Sequence, residues 1–283
     1  SWDRVLSNDE LLELFSYPYY NTGYTTTNSQ LQHVINRAYA EGFALPSNTL
    51  LEYCDTLITE MKNDGFWDLS DVYFNFAYNN TNLSGFSRIN WKNPYGALGL
   101  AKLEGGLTYQ SNGFKGDGST GYLDTMFNPF VSRSNASYSL NNAGRITIVS
   151  NAGTLSGVSA YLEGTAGSAV NGLRLANTAG HYINQSANPL SPGVNMTGTG
   201  LKSIMRDSST SVRLQNGSTL TSSTANSTSI ANATQVLFRG SSFWVDATIA
   251  SYYMGGSLTN TQIENFRTYY NQYLVNIGLT AIA

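Results

Sequence analysis

The sequence predicts a mainly β protein, in which an antiparallel β-sandwich follows a small N-terminal α-helical region and is closed by a C-terminal helix. Up to about residue 65, apolar residues recur at the helical spacing of about 3.6 residues. From Asp71 onward, short β-branched and aromatic runs alternate with clusters of Gly, Asn and Ser, a pattern typical of strands and turns. We therefore divide the chain into a helical region, 1–70, and a sandwich, 71–283.

The N-terminal region begins with two helical patterns. Ser7 and Glu10 form a capping box before a short helix that ends before Pro18. A second helix ends at Gly42, a residue type that often terminates helices. Its apolar positions are Leu31, Val34, Ile35, Ala38 and Tyr39.

A third helix follows Ser47 and ends at Gly65. Its apolar positions are Leu50, Leu51, Cys54, Leu57, Ile58 and Met61. Cys54 is the single cysteine, so an intramolecular disulfide is excluded. Because it lies on the apolar face, we interpret it as a buried core residue rather than a nucleophile.

Short strands dominate the rest of the chain. The first strand and its connection are assigned to 71–84. Further strands are predicted at 145–149, 157–162, 173–176 and 201–206. Asn171-Gly172 and Asn216-Gly217 are hairpin signals, because Asn-Gly adopts the positive φ angles of a type I′ turn.

One further helix is predicted within 258–278, capped by Thr259 or Thr261. Its apolar stripe is Ile263, Phe266, Tyr270 and Leu274. We expect this helix to pack on an edge or rim of the sheet.

The composition excludes some classes of function. Charged residues make up only 12% of the chain and the net charge is −3, whereas neutralising phosphates needs a basic face. We therefore expect no nucleic-acid partner. No apolar run reaches the roughly 18–20 residues of a membrane span, and no signal peptide is recognised. We expect no membrane span, and synthesis in the cytoplasm.

Three segments, in this order, resemble a known family. All three are similar to parts of laminin-G-like, concanavalin A-like jelly-roll domains. Residues 114–125 are similar to the entry strand of that fold, 211–217 to one of its hairpins, and 239–259 to its closing strands. Leu214 and Gln215 depart from the aromatic-valine core of that family's hairpin. The resemblance implies an antiparallel concanavalin-like jelly-roll β-sandwich.

The order of the segments is also similar to structural proteins of tailed bacteriophage virions, including those of crAss-like phages. In these a stretch like 88–94 stands between a helical segment and the first jelly-roll strand. The resemblance implies a fibre, appendage or head-surface protein on the virion surface, assembled in the host cytoplasm. The first 40 or so residues resemble no known family, and we expect this N-terminal region to attach to other virion proteins; the usual symmetry of fibres suggests a homotrimer. The predicted attachment residues are Leu11, Leu12, Phe15, Tyr19, Tyr20 and Tyr24.

The sandwich is predicted either to adhere to host or mucosal glycans or to decorate the surface of the particle. Aromatic rings stack on sugars, while amides and hydroxyls replace their hydrogen bonds. Tyr161, Tyr182 and Asn184 are the candidates in exposed loops, whereas Trp67, Trp91 and Trp244 lie in apolar runs and are assigned to the core. The alternative is a free lectin or carbohydrate-active enzyme of the same fold.

We expect the protein not to be an enzyme. Glycosidases of this fold carry acidic residues alternating along one strand, and this sequence has no such run. No cofactor is predicted, except that some laminin-G-like domains hold Ca²⁺ on a rim loop, and the resemblance implies Asp117 and Asp207 as candidate ligands of a structural Ca²⁺. The alternative is that Asp117 shapes a Gly-rich turn and Asp207 ends a strand.

Overall fold

A computed structural model describes residues 23–132, 135–154, 160–165, 168–175, 180–184 and 196–282. The first predicted helix lies outside these residues, as do five of the six predicted attachment residues: Leu11, Leu12, Phe15, Tyr19 and Tyr20. Tyr24, the sixth, is half-buried, and its hydroxyl donates to Asp55 Oδ2 at 3.1 Å.

The helices of the described residues are α1, Ser29–Ala40; α2, Asn48–Asn63; α3, Ser84–Ser87; and α4, Asn260–Asn276. The predicted second, third and C-terminal helices are thereby confirmed. Two of their caps involve side chains. Ser47 Oγ accepts from Leu50 N before α2, and Thr259 and Gln262 form a reciprocal capping box at the start of α4.

The strands of the described residues have the following bounds: β1 Ser70–Asn75, β2 Lys102–Glu104, β3 Thr108–Gln110, β4 Gly113–Lys115, β5 Tyr122–Asp124, β6 Ala143–Asn151, β7 Tyr161–Thr165, β8 Ser168–Arg174, β9 Gly200–Arg206, β10 Ser211–Asn216, β11 Thr219–Thr224, β12 Gln235–Leu237, β13 Arg239–Gly240, β14 Phe243–Trp244 and β15 Thr248–Gly255.

These strands form two main antiparallel sheets. One is eight-stranded, in the order β11-β10-β9-β6-β15-β4-β3, with β1 also paired to β15. The other is five-stranded, in the order β2-β5-β12-β7-β8, and β13 and β14 form a separate hairpin. The predicted fold class, a mainly β antiparallel sandwich with N-terminal helices and a C-terminal helix, is confirmed.

The eight-stranded sheet is covered on both faces. One face packs on the five-stranded sheet through a core that includes Phe114, Leu162 and Ile204. The other packs on α1, α2 and α4 through a second core that includes Cys54 and Phe266. The molecule therefore has three layers, and the helical region and the sandwich share the second core.

Helix α4 lies on a face of the eight-stranded sheet, so the expectation that it packs on an edge or rim is wrong. Tyr270 donates its hydroxyl proton to Ala250 O at 2.7 Å and Tyr273 donates to Ala77 O at 2.8 Å. The apolar stripe of α4 is wide enough to cover a sheet face. Its buried residues are Ile263, Phe266, Tyr270, Tyr273 and Leu274.

The two Asn-Gly signals have opposite outcomes. A hairpin joins β10 to β11 at Asn216-Gly217, as predicted, but Asn216 ends β10 paired with Thr219 and only Gly217 has a positive φ, of 56°, so the predicted type I′ conformation is wrong. Asn171-Gly172 lies inside β8, so a hairpin there is wrong. A Cβ on Gly172 would lie 2.7 Å from Cε1 of Tyr161, so this glycine makes room for a neighbouring ring.

Candidate functional site

A β-bulge turns Tyr161 toward the outer face of the five-stranded sheet. The pairing of β7 with β8 is irregular between Tyr161 and Glu163, as in a bulge, where two residues oppose one. Leu162 lies in the core between the sheets, and Glu163 forms an ion pair with Arg145 at 3.3 Å, so both point inward. Tyr161 lies on the other face, where Phe243 of β14 stacks on it at 6.2 Å between ring centroids.

The hairpin that carries Phe243 lies over β7 because of two local features. Phe238 links β12 to β13 with φ 68°, a left-handed conformation that is rare for a bulky residue. Gly240 then passes directly over the Tyr161 ring, and a Cβ there would lie 2.1 Å from Tyr161 Cδ1. The positive φ of Phe238 and the missing side chain of Gly240 together allow the hairpin to stack on Tyr161.

Two arginines lie over the aromatic rings of this face. The Arg174 guanidinium carbon is 4.5 Å from the centroid of Tyr161 and 5.4 Å from that of Tyr182, and its Nη2 donates to the Tyr161 hydroxyl. The Arg239 guanidinium carbon is 4.9 Å from the ring of Tyr122 and 5.5 Å from that of Trp244. These are cation–π distances.

We call this surface the aromatic–arginine platform; it consists of Tyr122, Tyr161, Arg174, Tyr182, Arg239, Phe243 and Trp244. It extends from β5 across β12 and β7 to β8, three strand spacings or about 14 Å. Phe243 is 44% exposed, whereas Tyr161 is nearly buried beneath it at 6%. The remaining five members are half-buried.

Buried arginines hold Tyr182 in place from behind. Tyr182 N donates to Gly172 O at 2.7 Å and Gly172 N donates to Tyr182 O at 2.9 Å. Arg145 Nη2 also donates to Tyr182 O, and Arg206 Nε donates to Ile183 O at 3.0 Å. The backbone beneath the Tyr182 ring is therefore fixed to the sandwich interior.

The predicted placement of the binding candidates in exposed loops is wrong for two of them. Tyr161 lies on a strand, because the bulge and the hairpin cover its ring. Asn184 is fully buried, because its side chain accepts from the Tyr138 hydroxyl at 2.8 Å and donates to Ser139 O at 2.9 Å. Tyr182 is half-buried and meets Tyr161 at Arg174, so two of the three candidates come together.

Sequence reasoning missed the arginines and the hairpin. Trp67 and Trp91 are buried as predicted, but Trp244 is half-buried on the platform, so its assignment to the core is wrong. Arg174 could have been found, because it alternates with Leu173 and Leu175, which both face the core. The contact of Arg239 with Trp244 depends on the register of β13 and β14, which is not visible in the sequence.

Asp117 shapes a turn in the structure. It accepts from Ser119 N, Thr120 N and Gly121 N at 2.8–2.9 Å and from Thr120 Oγ1 at 2.6 Å. Burial alone would raise the pKa of Asp117, but these hydrogen bonds outweigh it and hold the pKa well below its usual range.

Asp207, the second predicted calcium ligand, follows β9 and pairs with Arg213 through both of its oxygens, at 2.6 and 2.7 Å. In the part of the chain that the structure describes, no three His, Cys, Asp or Glu side chains group as a metal site. Calcium binding by Asp117 or Asp207 stays a prediction.

Two carboxylates share the outer face at the other end of the five-stranded sheet. Glu104 pairs in register with Tyr122, and Asp124 with Lys102, so the two acids are diagonal neighbours on one face. Glu104 is exposed. Asp124 accepts from Met126 N at 2.8 Å and from the Thr234 hydroxyl at 2.9 Å.

A cleft of about 420 Å³ lies on another side of the molecule, next to the C-terminal tail. Its lining includes Asn112, Thr199 and Leu279 and has no aromatic or charged side chain. It lacks the groups that stack on or pair with a ligand, so the platform is the stronger candidate site.

Among the described residues, no helix combines the length and apolarity needed to cross a membrane.

No protein-family model matches the chain, and no curated protein matches it. Domain 4 of AbnA, a GH43 extracellular arabinanase from Geobacillus stearothermophilus solved with arabinotriose, is similar in structure, with a TM-score of 0.42 and 11% identity over 70% of this chain and 97% of that one. Trypanosoma rangeli sialidase in complex with DANA has a TM-score of 0.43 and 11% identity over 80% of this chain and 39% of that one. The binding domain of botulinum neurotoxin serotype C1 has a TM-score of 0.39 and 11% identity over 72% and 52%. These likenesses concern the fold alone.

Proposed function

We propose that this protein is a non-catalytic glycan-binding β-sandwich and that the aromatic–arginine platform holds the ligand. The observation that carries the proposal is the cluster of four aromatic side chains at least partly open to solvent, Tyr122, Tyr182, Phe243 and Trp244, on one face. Aromatic faces stack on the C–H faces of sugars, and adjacent hydroxyl and guanidinium groups donate hydrogen bonds. The platform supplies both kinds of group on a rigid sheet.

The test is a glycan array and a polysaccharide panel, with Phe243→Ala as the first variant. Phe243 is 44% exposed, so its truncation should leave the melting temperature almost unchanged while weakening glycan binding by about tenfold. Val275→Ala is the matched control, because Val275 is 53% exposed on α4 in the helical layer. Equal binding by wild type and the Phe243 variant would contradict the proposal.

The absence of catalysis is part of this proposal. Its support is that Asp124 is engaged by two donors and faces Lys102 across the ladder, while Glu104 is exposed rather than in a desolvated pocket. The competing function is hydrolysis by this diagonal pair, since glycosidases place two carboxylates about 5–9.5 Å apart. Hydrolysis of any bound polysaccharide that is abolished by Glu104→Gln or Asp124→Asn would favour the enzyme.

We further propose that the binding sandwich is displayed on the surface of a tailed-phage virion. Support comes from the order of the jelly-roll segments, 114–125, 211–217 and 239–259, and from the 88–94 stretch before them. The N-terminal region would attach to other virion proteins. Mass spectrometry of purified particles tests this location, and absence of the protein from particles would contradict it.

A homotrimer is the proposed assembly. One surface that suits contact between copies is β11, the last strand in the order of the eight-stranded sheet. Its residues alternate between exposed and half-buried, and none carries a charge that would block strand pairing. Sedimentation analysis of the full chain measures the copy number directly.

A further inference from the structure

Four of the eight described arginines form an ion pair with a carboxylate, and the two platform arginines are not among them. Four ion pairs are seen among the described residues: Arg37–Glu41, Arg145–Glu163, Arg213–Asp207 and Arg267–Glu264. Arg174 instead donates to the Tyr161 hydroxyl, and Arg239 Nε donates to Ser241 O at 3.0 Å. Neither guanidinium lies within ion-pair distance of a described carboxylate.

The described residues around Arg174 include one acid. Among the described residues between 135 and 184 this is Glu163, which points into the sandwich interior, where it pairs with Arg145. The acids on the outer face, Glu104 and Asp124, lie on β2 and β5 at the opposite edge of the sheet from β8.

The two guanidinium groups lie at different places on the outer face of the five-stranded sheet. Arg174 lies over Tyr161 and Tyr182 at the β7–β8 edge, whereas Arg239 lies over Tyr122 of β5, the strand next to the one that carries Glu104. Stacking on a ring holds a guanidinium plane flat and directs its N–H groups to the edge, where a carboxylate or sulfate can accept two of them. Among the described residues, both Nη atoms of Arg239 have no hydrogen-bond partner.

We infer that the platform selects acidic saccharides, with separate acidic groups of the saccharide bound by Arg174 and by Arg239 and neutral rings stacked on Phe243 and Trp244. This inference rests on the proposed glycan-binding function and names its ligand class.

The test measures the affinity of the full chain for three oligosaccharides of equal length by calorimetry. One is neutral, one carries uronic acids and one carries sulfates. Wild type is compared with Arg174→Gln and Arg239→Gln, and with Arg267→Gln as a charge-matched control on α4 in the opposite layer. Each platform variant should weaken binding of at least one acidic oligosaccharide by about 10–100-fold. The control should bind as wild type does.

Salt gives a second readout, because raising the ionic strength should weaken binding of the acidic oligosaccharide and leave the neutral one unchanged. Arg239→Lys should recover only part of the affinity, since an ammonium keeps the charge but loses the planar donor pair. Should Arg174→Gln fail to fold, the half-buried Arg239 still provides the comparison.

Two different failures are distinguishable. Binding of the neutral oligosaccharide as tightly as the acidic ones, unaffected by either arginine substitution, would overturn the inference and leave the glycan-binding proposal standing. Binding of no saccharide by wild type at any ionic strength would overturn the proposed function itself.

Discussion

The sandwich uses cations in two contrasting ways on the two faces of its five-stranded sheet. Toward the interior, Arg145, Lys202 and Arg206 of the facing sheet are fully buried. On the outer face, Arg174 and Arg239 lie half-buried over aromatic rings and form no ion pair with a described acid. The same residue type thus serves the fold on one side and is open to a ligand on the other.

The interior cations are held chiefly by backbone carbonyls. Lys202 Nζ donates to Thr197 O at 3.1 Å and Thr199 O at 2.8 Å, and Arg206 Nη1 donates to Ala225 O at 2.8 Å. Burial lowers the pKa of Lys202 to about 8, because carbonyls do not offset the loss of water as fully as a carboxylate would. These contacts fasten loops to the sheet, and through Tyr182 O they also support the platform.

Removal of the buried carboxylate should cause the largest loss of stability. Glu163 and Arg145 are both fully buried, and burial raises the pKa of Glu163 while Arg145 opposes that rise. Glu163→Ala leaves the guanidinium buried without its counter-charge, which should lower the free energy of unfolding by about 3–5 kcal/mol. Urea denaturation measures this value.

The matched control is Glu264→Ala on α4. Glu264 forms a partly exposed pair with Arg267 at 2.6 Å, and such pairs contribute about 0–1 kcal/mol. Equal effects of the two substitutions would mean that the interior pair is no more important than a surface pair, and the contrast between the faces would fail.

Asp71 should make the stability of the fold depend on pH. Its two oxygens accept from Ser137 N at 2.7 Å and Tyr138 N at 2.8 Å, but burial dominates and raises its pKa from 3.8 to about 6. Because the pKa is higher in the folded state, the stabilisation is present below about pH 4 and is lost as the pH rises through about 6, by at most about 3 kcal/mol.

Chemical denaturation between pH 4 and 7 tests this dependence. The difference in unfolding free energy between wild type and Asp71→Asn should change across that window, since Asn does not titrate. Asp207 is the control, because its pKa is shifted in the opposite direction from that of Asp71. Burial would raise its pKa, but the hydrogen bonds from Arg213 and Ser257 outweigh that effect and lower it, so its contribution is lost only as the pH falls. A constant difference between wild type and Asp71→Asn would contradict the prediction.

The parts of the fold that could be predicted from sequence are those determined locally. Helix α2 is preceded by its own N-cap, Ser47, and its apolar spacing is sufficient to identify the buried face. Strand β6 contains the β-branched run Ile146-Thr147-Ile148-Val149. The Asn171-Gly172 hairpin prediction failed because Gly172 packs against the Tyr161 ring of the adjacent strand, a contact that the Asn-Gly dipeptide does not reveal.

The platform was harder to predict because it depends on contacts between residues far apart in the chain. Tyr161 and Tyr182 were identified as aromatic candidates, but the bulge at Leu162 and Glu163, which turns Tyr161 outward, has no signature in the sequence. Trp244 was assigned to the core because it stands in an apolar run. Its register with Arg239 in the hairpin is what places it on the surface.

Gly240→Ala should lower the stability less than Glu163→Ala or the ionisation of Asp71. It tests the outer face of the five-stranded sheet separately from the interior. A Cβ at this position would lie 2.1 Å from Tyr161 Cδ1, so the ring or the hairpin must move. Overpacking of this kind costs about 1–3 kcal/mol, and here the displaced groups belong to the platform rather than to the core between the sheets. Calorimetry should therefore show a modest fall in melting temperature together with a large loss of glycan affinity. Ser242→Ala, an exposed position in the same turn, should change neither quantity. If Gly240→Ala lowers stability but keeps full affinity, the stacking of the hairpin on Tyr161 serves the fold alone, and the ligand must bind elsewhere.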